Sequence, residues 1–442
     1  MLSPALPAMV LLFGMLILPA GYQVVKIVLL AIVLSQIAIK SVWRGSLFLD
    51  NSIFQTFVFY ACVGLAFTIY GLVNGNPGAL PMAKEYVLYV LVYMVLVSGL
   101  DRARQIRYID VTLVASALFI SLYALATVMT KLGVYPERWY INFYQDTGMQ
   151  GISVEEGFAT IDLPSLPSLL FLQPYLATRI VLSKSKSGFV VWSTFLLSTF
   201  VMVFVGRRAL LLVALIVPLL VFFFVLLTNR NIKKSLLRFT KVFGLLILFS
   251  FFIVMSMQGI GYDLSAYVQT FLDGFSISAG AGASIRVDQF HALINAWTEN
   301  ILFGKGLGAV HPQFIRSIDQ PWNYELSYVK MLFDFGIVGM ATYMAGIAAI
   351  YWSASEIFRL DRAYSFVLMP VIVGNVAFLI GNATNPYLLK IDYLSIIFLP
   401  VALLNFWKLE SASSWHATKM KPVTDQNLHT NFPSETGVVS AE

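Results

Sequence analysis

This sequence is poor in charged residues: Asp, Glu, Lys and Arg together make up 12% of its 442 residues. Soluble globular chains carry about 25% charged residues, whereas 58% of this chain is hydrophobic. The shortage of charge excludes a soluble enzyme and indicates a polytopic helical membrane protein. The apolar runs are unbroken over the length of a membrane-spanning helix, and the alternating pattern of a transmembrane barrel is missing.

Cysteine and histidine are also scarce, which excludes two kinds of site. The single cysteine, Cys62, rules out an intrachain disulfide and a cysteine-based metal centre. The four histidines are never three or four residues apart, so a helical zinc site is not expected. The sequence also lacks an Asp-x-Asp motif. We therefore expect no metal and no cofactor.

Twelve apolar segments predict an all-α polytopic membrane protein with about twelve transmembrane helices. We expect them to form a single transmembrane domain over residues 1–407, with a large loop between the ninth and tenth spans. The predicted spans are residues 4–19, 22–40, 53–73, 83–99, 108–130, 164–183, 189–205, 209–228, 242–260, 327–351, 365–381 and 388–407.

Basic residues fall in alternate loops, as a single membrane topology requires. By the positive-inside rule these loops face the cytoplasm, and so do both termini. The net charge of +6 thus belongs to loops and indicates no nucleic-acid partner. The polar segment 408–442 is expected to be a disordered cytoplasmic tail. The opposite, external face receives two substantial loops, residues 131–163 and 261–326.

Arg207 and Arg208 break the charge rule, because they lie at the external end of the seventh predicted span. They could extend to lipid headgroups, or they could form an anion site inside the bundle. The planar guanidinium group suits phosphate better than the ammonium group of lysine does. We expect one of the two to face the site, with a slight preference for Arg208 because it begins the next span.

Arg286 follows a run of small residues and begins a predicted amphipathic helix, residues 286–300, on the membrane surface. An arginine at a helix N-terminus opposes the helix dipole. That cost is offset if an anion binds there, because the free backbone amides and the guanidinium group would then share it. The alternative is a solvated helix start.

Three further features of the large loop bear on function. The glycine-rich run 304–308 lacks the ending of a nucleotide-binding loop, so we expect a tight, exposed turn. His311 lies just beyond it and could be an ordinary exposed side chain or a catalytic base. Glu325, at the start of the tenth span, could be an ordinary first-turn residue or could accept a proton from a sugar hydroxyl.

Five motifs stand in an order and spacing that resembles the O-antigen polymerase and O-antigen ligase superfamily of bacterial envelopes. The resemblance covers roughly residues 190–400. The motifs are a Gly-Arg junction, an arginine early in the large loop, a Gly-x-Gly-x-Gly turn, a Leu-Phe-Asp-Phe-Gly-x-x-Gly helix segment and a late Asn-Pro, at residues 206–208, 284–286, 304–308, 332–339 and 385–386.

One departure separates the two branches of this superfamily. Ligases typically have a histidine in a His-Asn context at the mouth of the tenth span, where this chain reads Trp322, Asn323, Tyr324 and Glu325. His311 is too early to be its obvious counterpart. The chain looks more like the polymerase branch, and the ligase remains an alternative.

The resemblance implies a C-type glycosyltransferase fold and a glycan donor on undecaprenyl diphosphate, used without an essential metal. We expect Arg208 and Arg286 to bind the diphosphate, with Arg207 assisting. Glu325 or His311 would accept the proton of the attacking hydroxyl. The implied partners are a second lipid-linked repeat unit as acceptor, membrane lipid and a chain-length regulator protein. The implied location is the bacterial inner membrane, with the site facing the periplasm.

Transport of a lipid-linked sugar is the alternative from a different functional class. A carrier usually places ionisable residues or broken helices near the middle of the membrane. The mid-span candidates are few: Lys26 lies within the second predicted span, and most other charges lie at span ends. This distribution favours chemistry at the external surface over passage through the membrane.

Overall fold

The computed structural model describes residues 5–19, 21–131, 135–144, 151–155, 158–183, 188–205, 207–228, 232–259, 265, 269, 281–315 and 317–419. Its helices are α1 Ala5–Ile17, α2 Gln23–Arg44, α3 Asn51–Val73, α4 Ala79–Ser98, α5 Ala103–Lys131, α6 Leu169–Leu182, α7 Phe189–Phe204, α8 Arg208–Thr228, α9 Ile232–Gly259, α10 Ala281–Thr298, α11 Ser327–Leu360, α12 Arg362–Asn382 and α13 Ile391–Lys419. A short hairpin, β1 Gly151–Glu155 and β2 Phe158–Asp162, lies in the first long loop.

The helices confirm a polytopic membrane protein. Within the described residues, eight are long and apolar enough to cross a membrane: α2, α3, α4, α5, α8, α11, α12 and α13. Three shorter apolar segments, 6–17, 166–182 and 189–204, coincide with further predicted spans. Helix α9 overlaps the ninth. Twelve helices therefore coincide with the twelve predicted spans, and the number that cross the membrane stays a prediction.

Helix α6 is the centre of the bundle. All of its residues are buried except Arg179. It packs most closely against α12, because Gly374 brings the two backbones together: a Cβ on Gly374 would lie 2.6 Å from the carbonyl oxygen of Phe171. Helices α5, α7, α8 and α9 complete the layer around α6. An apolar helix without a polar face is the pattern of a fully buried span.

The bundle has two chemically different ends. At the first, which we call the basic end, the carboxylate of Asp101 accepts a hydrogen bond from Arg44 (2.6 Å) and also pairs with Lys40. The opposite end, which we call the site end, carries the turn before α4, the hairpin, the α7–α8 junction and the segment between α10 and α11. The positive-inside rule predicts that the basic end faces the cytoplasm.

Helix α11 is broken by Gly336, whose backbone lies in the left-handed region (φ 61°, ψ −168°). The break frees backbone groups on both sides of it, and the segment before α11 binds them. The amides of Lys305 and Gly306 donate to the carbonyls of Phe333 and Asp334 (2.8 and 2.9 Å). Every exposed peptide group inside a membrane protein needs such a partner, so the break fixes where this segment lies.

Two predictions about charged segments differ from the structure. Lys26 lies in the first turn of α2 at the site end, away from the middle of the span. It is buried and binds Asp392, the second residue of α13, at 2.7 Å. At the other end, α13 continues as helix to Lys419, so the segment 408–419 of the expected disordered tail is helical. Its alanines, leucine and lysines favour helix. The remainder, 420–442, lies outside the described residues.

Candidate active site

Arg286 and Glu325 form an ion pair at the site end, although 39 residues separate them in sequence. The Nε atom of Arg286 donates to Oε2 of Glu325 at 2.8 Å. Both side chains are partly buried, with 31% and 18% of their surfaces exposed. Glu325 contacts only the Nε atom of Arg286. The two terminal nitrogens of Arg286 make no hydrogen bond to any residue that the structure describes. An arginine in this geometry can bind a further anion through those nitrogens.

Gln289 positions this pair. It lies one turn after Arg286 on α10 and is fully buried. With its amide oxygen towards the loop, it accepts hydrogen bonds from the backbone N–H groups of Glu325 (3.0 Å) and Leu326 (3.2 Å). The segment that carries Glu325 is thus fixed to the helix that carries Arg286. The same segment is also held to the α12–α13 turn, because the hydroxyl of Ser327 donates to the carbonyl of Asn385 (3.1 Å).

A second arginine–carboxylate pair lies at the same end. Arg207, just before α8, binds the carboxylate of Asp162, the last residue of β2. The pair joins the α7–α8 junction to the hairpin in the first long loop. Asp162 is more than half exposed, so the ion pair contributes little to stability. The pair does hold the guanidinium group of Arg207 at the surface of the bundle.

The α12–α13 turn contacts the segments that carry both pairs. The carbonyl of Asn385 accepts the hydrogen bond from Ser327, two residues after Glu325, and the hydroxyl of Tyr393 donates to the carbonyl of Pro164 (2.6 Å), two residues after Asp162. Tyr387 lies on this turn, in the 3-10 segment Tyr387–Leu389. Burial raises the pKa of its hydroxyl above the usual value of 10. Arg207 and Arg286 act to lower that pKa, while Asp162 and Glu325 act to raise it. The two ion pairs, with the α12–α13 turn that contacts the segments carrying them, define the candidate active site.

Arg208 does not join this group. The sequence favoured it slightly over Arg207, but it forms no hydrogen bond or ion pair within the described part of the chain. Arg208 is the first residue of α8, and Arg207 precedes the helix. Adjacent residues point in different directions, and only Arg207 contacts Asp162. Arg207 is thus the arginine that the structure ties to a carboxylate, and the preference for Arg208 as the phosphate ligand stays a prediction.

His311 also lies apart from the two pairs. Its backbone amide donates to the hydroxyl of Tyr324 (2.8 Å), and its ring acts electrostatically on Glu299. Glu299 in turn pairs with Lys305. No contact between the His311 ring and Arg286 or Glu325 is present among the described residues. Of the two proposed bases, the structure places only Glu325 beside an arginine.

The glycine-rich run 304–308 is tight, as expected, but it is buried, so the prediction of an exposed turn is wrong. Its three glycines have positive φ angles of 66°, 88° and 74°. Leu307 is fully buried, and the side-chain amide of Asn76 donates to the carbonyls of Lys305 (2.9 Å) and Gly306 (3.1 Å). The run fills the space between the α3–α4 turn and the break in α11, where no nucleotide could fit.

Sequence reasoning missed three members of the group: Asp162, Tyr387 and Gln289. Asp162 had one available signal, because it is the last charged residue before a predicted span. Tyr387 follows the Asn-Pro motif that contributed to the resemblance. Gln289 has no signal of its own, since a glutamine on a predicted amphipathic helix is usually exposed.

Comparisons with protein-family models and with curated protein sequences find no match to this chain. The resemblance to the polymerase and ligase superfamily therefore stays a prediction that depends on the motifs, and the geometry above is independent of it.

Proposed function

We propose that the protein is a glycosyltransferase that joins undecaprenyl-diphosphate-linked oligosaccharide repeat units into O-antigen or a related surface polysaccharide at the periplasmic face of the inner membrane. The observation that carries the proposal is that two arginine–carboxylate pairs, Arg207–Asp162 and Arg286–Glu325, lie at the end of the bundle opposite the basic loops, on segments that the α12–α13 turn contacts. Two guanidinium groups at a membrane surface suit a diphosphate that is attached to a lipid.

The reaction is a displacement at the anomeric carbon of the donor glycan. The acceptor hydroxyl oxygen forms the new bond to that carbon, and the bond from the carbon to the phosphate oxygen breaks. The electron pair of that bond leaves on the lipid diphosphate, where Arg286 and Arg207 stabilise the developing negative charge. The hydroxyl proton passes to the carboxylate of Glu325, which acts as the general base.

The ion pair between Arg286 and Glu325 also sets the geometry of the proposed reaction. The Nε atom of Arg286 holds the carboxylate of Glu325 at 2.8 Å. A phosphate bound by the terminal nitrogens of the same guanidinium group would therefore lie beside the proposed base.

The position of Lys26 in the structure weakens the alternative hypothesis that the protein is a transporter. This lysine was the mid-span candidate named from the sequence, and it is paired with Asp392 near the site end. The broken helix α11 would otherwise suit a carrier, but the protein's own backbone fills the break. Both features that could favour a carrier thus have structural partners.

A reconstitution tests the proposal. Purified protein in detergent receives lipid-diphosphate-linked repeat units alone, and the products are separated on a gel. We expect a ladder of repeats. Transfer only after a lipid A-core acceptor is added would replace the polymerase with the ligase. Passage of the lipid-linked sugar across liposomes without either product would replace both with a transporter.

A further inference from the structure

Lys390 is a charged side chain at the site end that the proposed reaction does not yet use. It lies on the turn between α12 and α13, three residues after Tyr387, and its backbone amide donates to the Tyr387 carbonyl (3.1 Å). The turn that carries Lys390 also contacts the segment of Asp162, because the hydroxyl of Tyr393, three residues after Lys390, donates to the carbonyl of Pro164 (2.6 Å).

Two of the charged groups that act on Lys390, Asp162 and Arg207, belong to the candidate active site. Burial lowers the pKa of its ammonium group, Asp392 and Asp162 act to raise it, and Arg207 acts to lower it. Asp392 is already bound by Lys26 at 2.7 and 2.8 Å. Asp162 is bound by Arg207. Both carboxylates near Lys390 thus have another cation as their direct partner.

The ammonium group of Lys390 forms no hydrogen bond and no ion pair within the described part of the chain, although the side chain is partly buried. A buried charge without a hydrogen-bond acceptor is costly. With Arg207 and Arg286, it makes three cations against the two carboxylates Asp162 and Glu325. Among the described residues of this group, positive charges thus exceed negative charges by one, and an anionic ligand would neutralise the excess.

On this basis we propose that Lys390 is a third cation of the lipid-diphosphate site and binds a phosphate oxygen together with Arg207. The inference rests on the proposed function for the identity of the ligand. A diphosphate offers more oxygens than two guanidinium groups need, and a flexible ammonium group can follow the phosphate as the glycan leaves.

The test is a binding measurement with undecaprenyl diphosphate that carries no sugar, added to purified full-length protein in detergent. Lys390→Met should weaken binding by about ten- to one-hundred-fold, the loss expected for one charge-assisted contact. Lys390→Arg should restore most of the affinity. Lys84→Met is the matched control, since Lys84 is exposed near the same end of the bundle and should bind normally.

Binding of phosphatidylglycerol, measured in parallel, separates a diphosphate site from a general headgroup contact. We expect Lys390→Met to leave it unchanged. Normal diphosphate affinity in Lys390→Met, or an equal loss in Lys84→Met, would overturn the proposal, as would a loss confined to phosphatidylglycerol. If Lys390→Met loses diphosphate binding but the wild type makes no polymer, the cation site stands and the polymerase function fails.

Discussion

At the scale of single residues, the account depends on one carboxylate. Glu325 binds the Nε atom of Arg286 at 2.8 Å, whereas the His311 ring acts on Glu299, which pairs with Lys305. A base must lie within reach of the hydroxyl it deprotonates, and that hydroxyl must be close to the bound diphosphate. If Arg286 binds the diphosphate, Glu325 is the better placed of the two proposed bases.

Glu325→Gln should lower the rate of polymer formation by about 10²–10⁴-fold, the usual contribution of a positioned base. The glutamine oxygen can still accept the hydrogen bond from Arg286, so affinity for undecaprenyl diphosphate should change little. Glu299→Gln is the control, because Glu299 is exposed and pairs with Lys305 outside the group. Turnover near the wild-type rate in Glu325→Gln would return the assignment to His311.

At the scale of elements, the site depends on the segment between α10 and α11 being locked in place. The break at Gly336 and the run 304–308 lock it together, because backbone amides of the run donate to the carbonyls that the break leaves free. The same segment then continues through Tyr324 to Glu325. A disturbance in the run should therefore reach the site even though the run touches no substrate.

Gly308→Ala tests this coupling. Gly308 has a φ of +74°, and a Cβ there would lie 2.0 Å from the carbonyl carbon of Gly78. Gly75 is a matched control, with a φ of +72° and open space around the added atom. Both alanines carry the cost of the left-handed backbone, about 1–2 kcal/mol. Gly308→Ala should lose clearly more thermal stability in detergent, and an equal loss would refute tight docking of the run.

The sequence predicts the helices better than the site, for a physical reason. Long apolar runs report membrane burial directly, so the predicted spans coincide with helices. The pairing of Arg286 with Glu325, or of Arg207 with Asp162, depends on how distant loops meet, and no local pattern encodes it. The exposed-turn prediction for 304–308 was wrong because three positive-φ glycines indicate a tight turn but do not reveal its partners.

At the scale of the whole molecule, charge divides the bundle into two ends with different tasks. At the site end, the two arginine–carboxylate pairs involve loop segments, since Asp162 lies in the first long loop and Glu325 precedes α11. The basic end uses its charges to hold helices together, as where Asp101, before α5, binds Lys40 and Arg44 at the end of α2. The stability of this end should therefore respond to pH.

Burial raises the pKa of Asp101, but hydrogen bonds from Lys40 and Arg44 outweigh it and hold the pKa below the ordinary value of 3.8. A carboxylate whose pKa is lower in the folded state than in the unfolded state stabilises the fold at pH values above its unfolded-state pKa. That stabilisation is lost as the pH falls through the folded-state pKa. Asp101→Asn should thus lower the unfolding temperature at pH 7, and the deficit should shrink below about pH 4. Asp288→Asn, at an exposed position, should show neither effect, and a deficit of Asp101→Asn that is independent of pH would contradict the assignment.

The central claim is that Arg286 binds the lipid diphosphate from which the glycan is transferred. The most direct test is the reconstituted reaction with Arg286→Ala beside Arg102→Ala, which removes the same charge at the basic end. The account predicts a normal ladder of repeats from wild type and Arg102→Ala, and none from Arg286→Ala that is folded and inserted. A ladder of normal length from Arg286→Ala would contradict the claim.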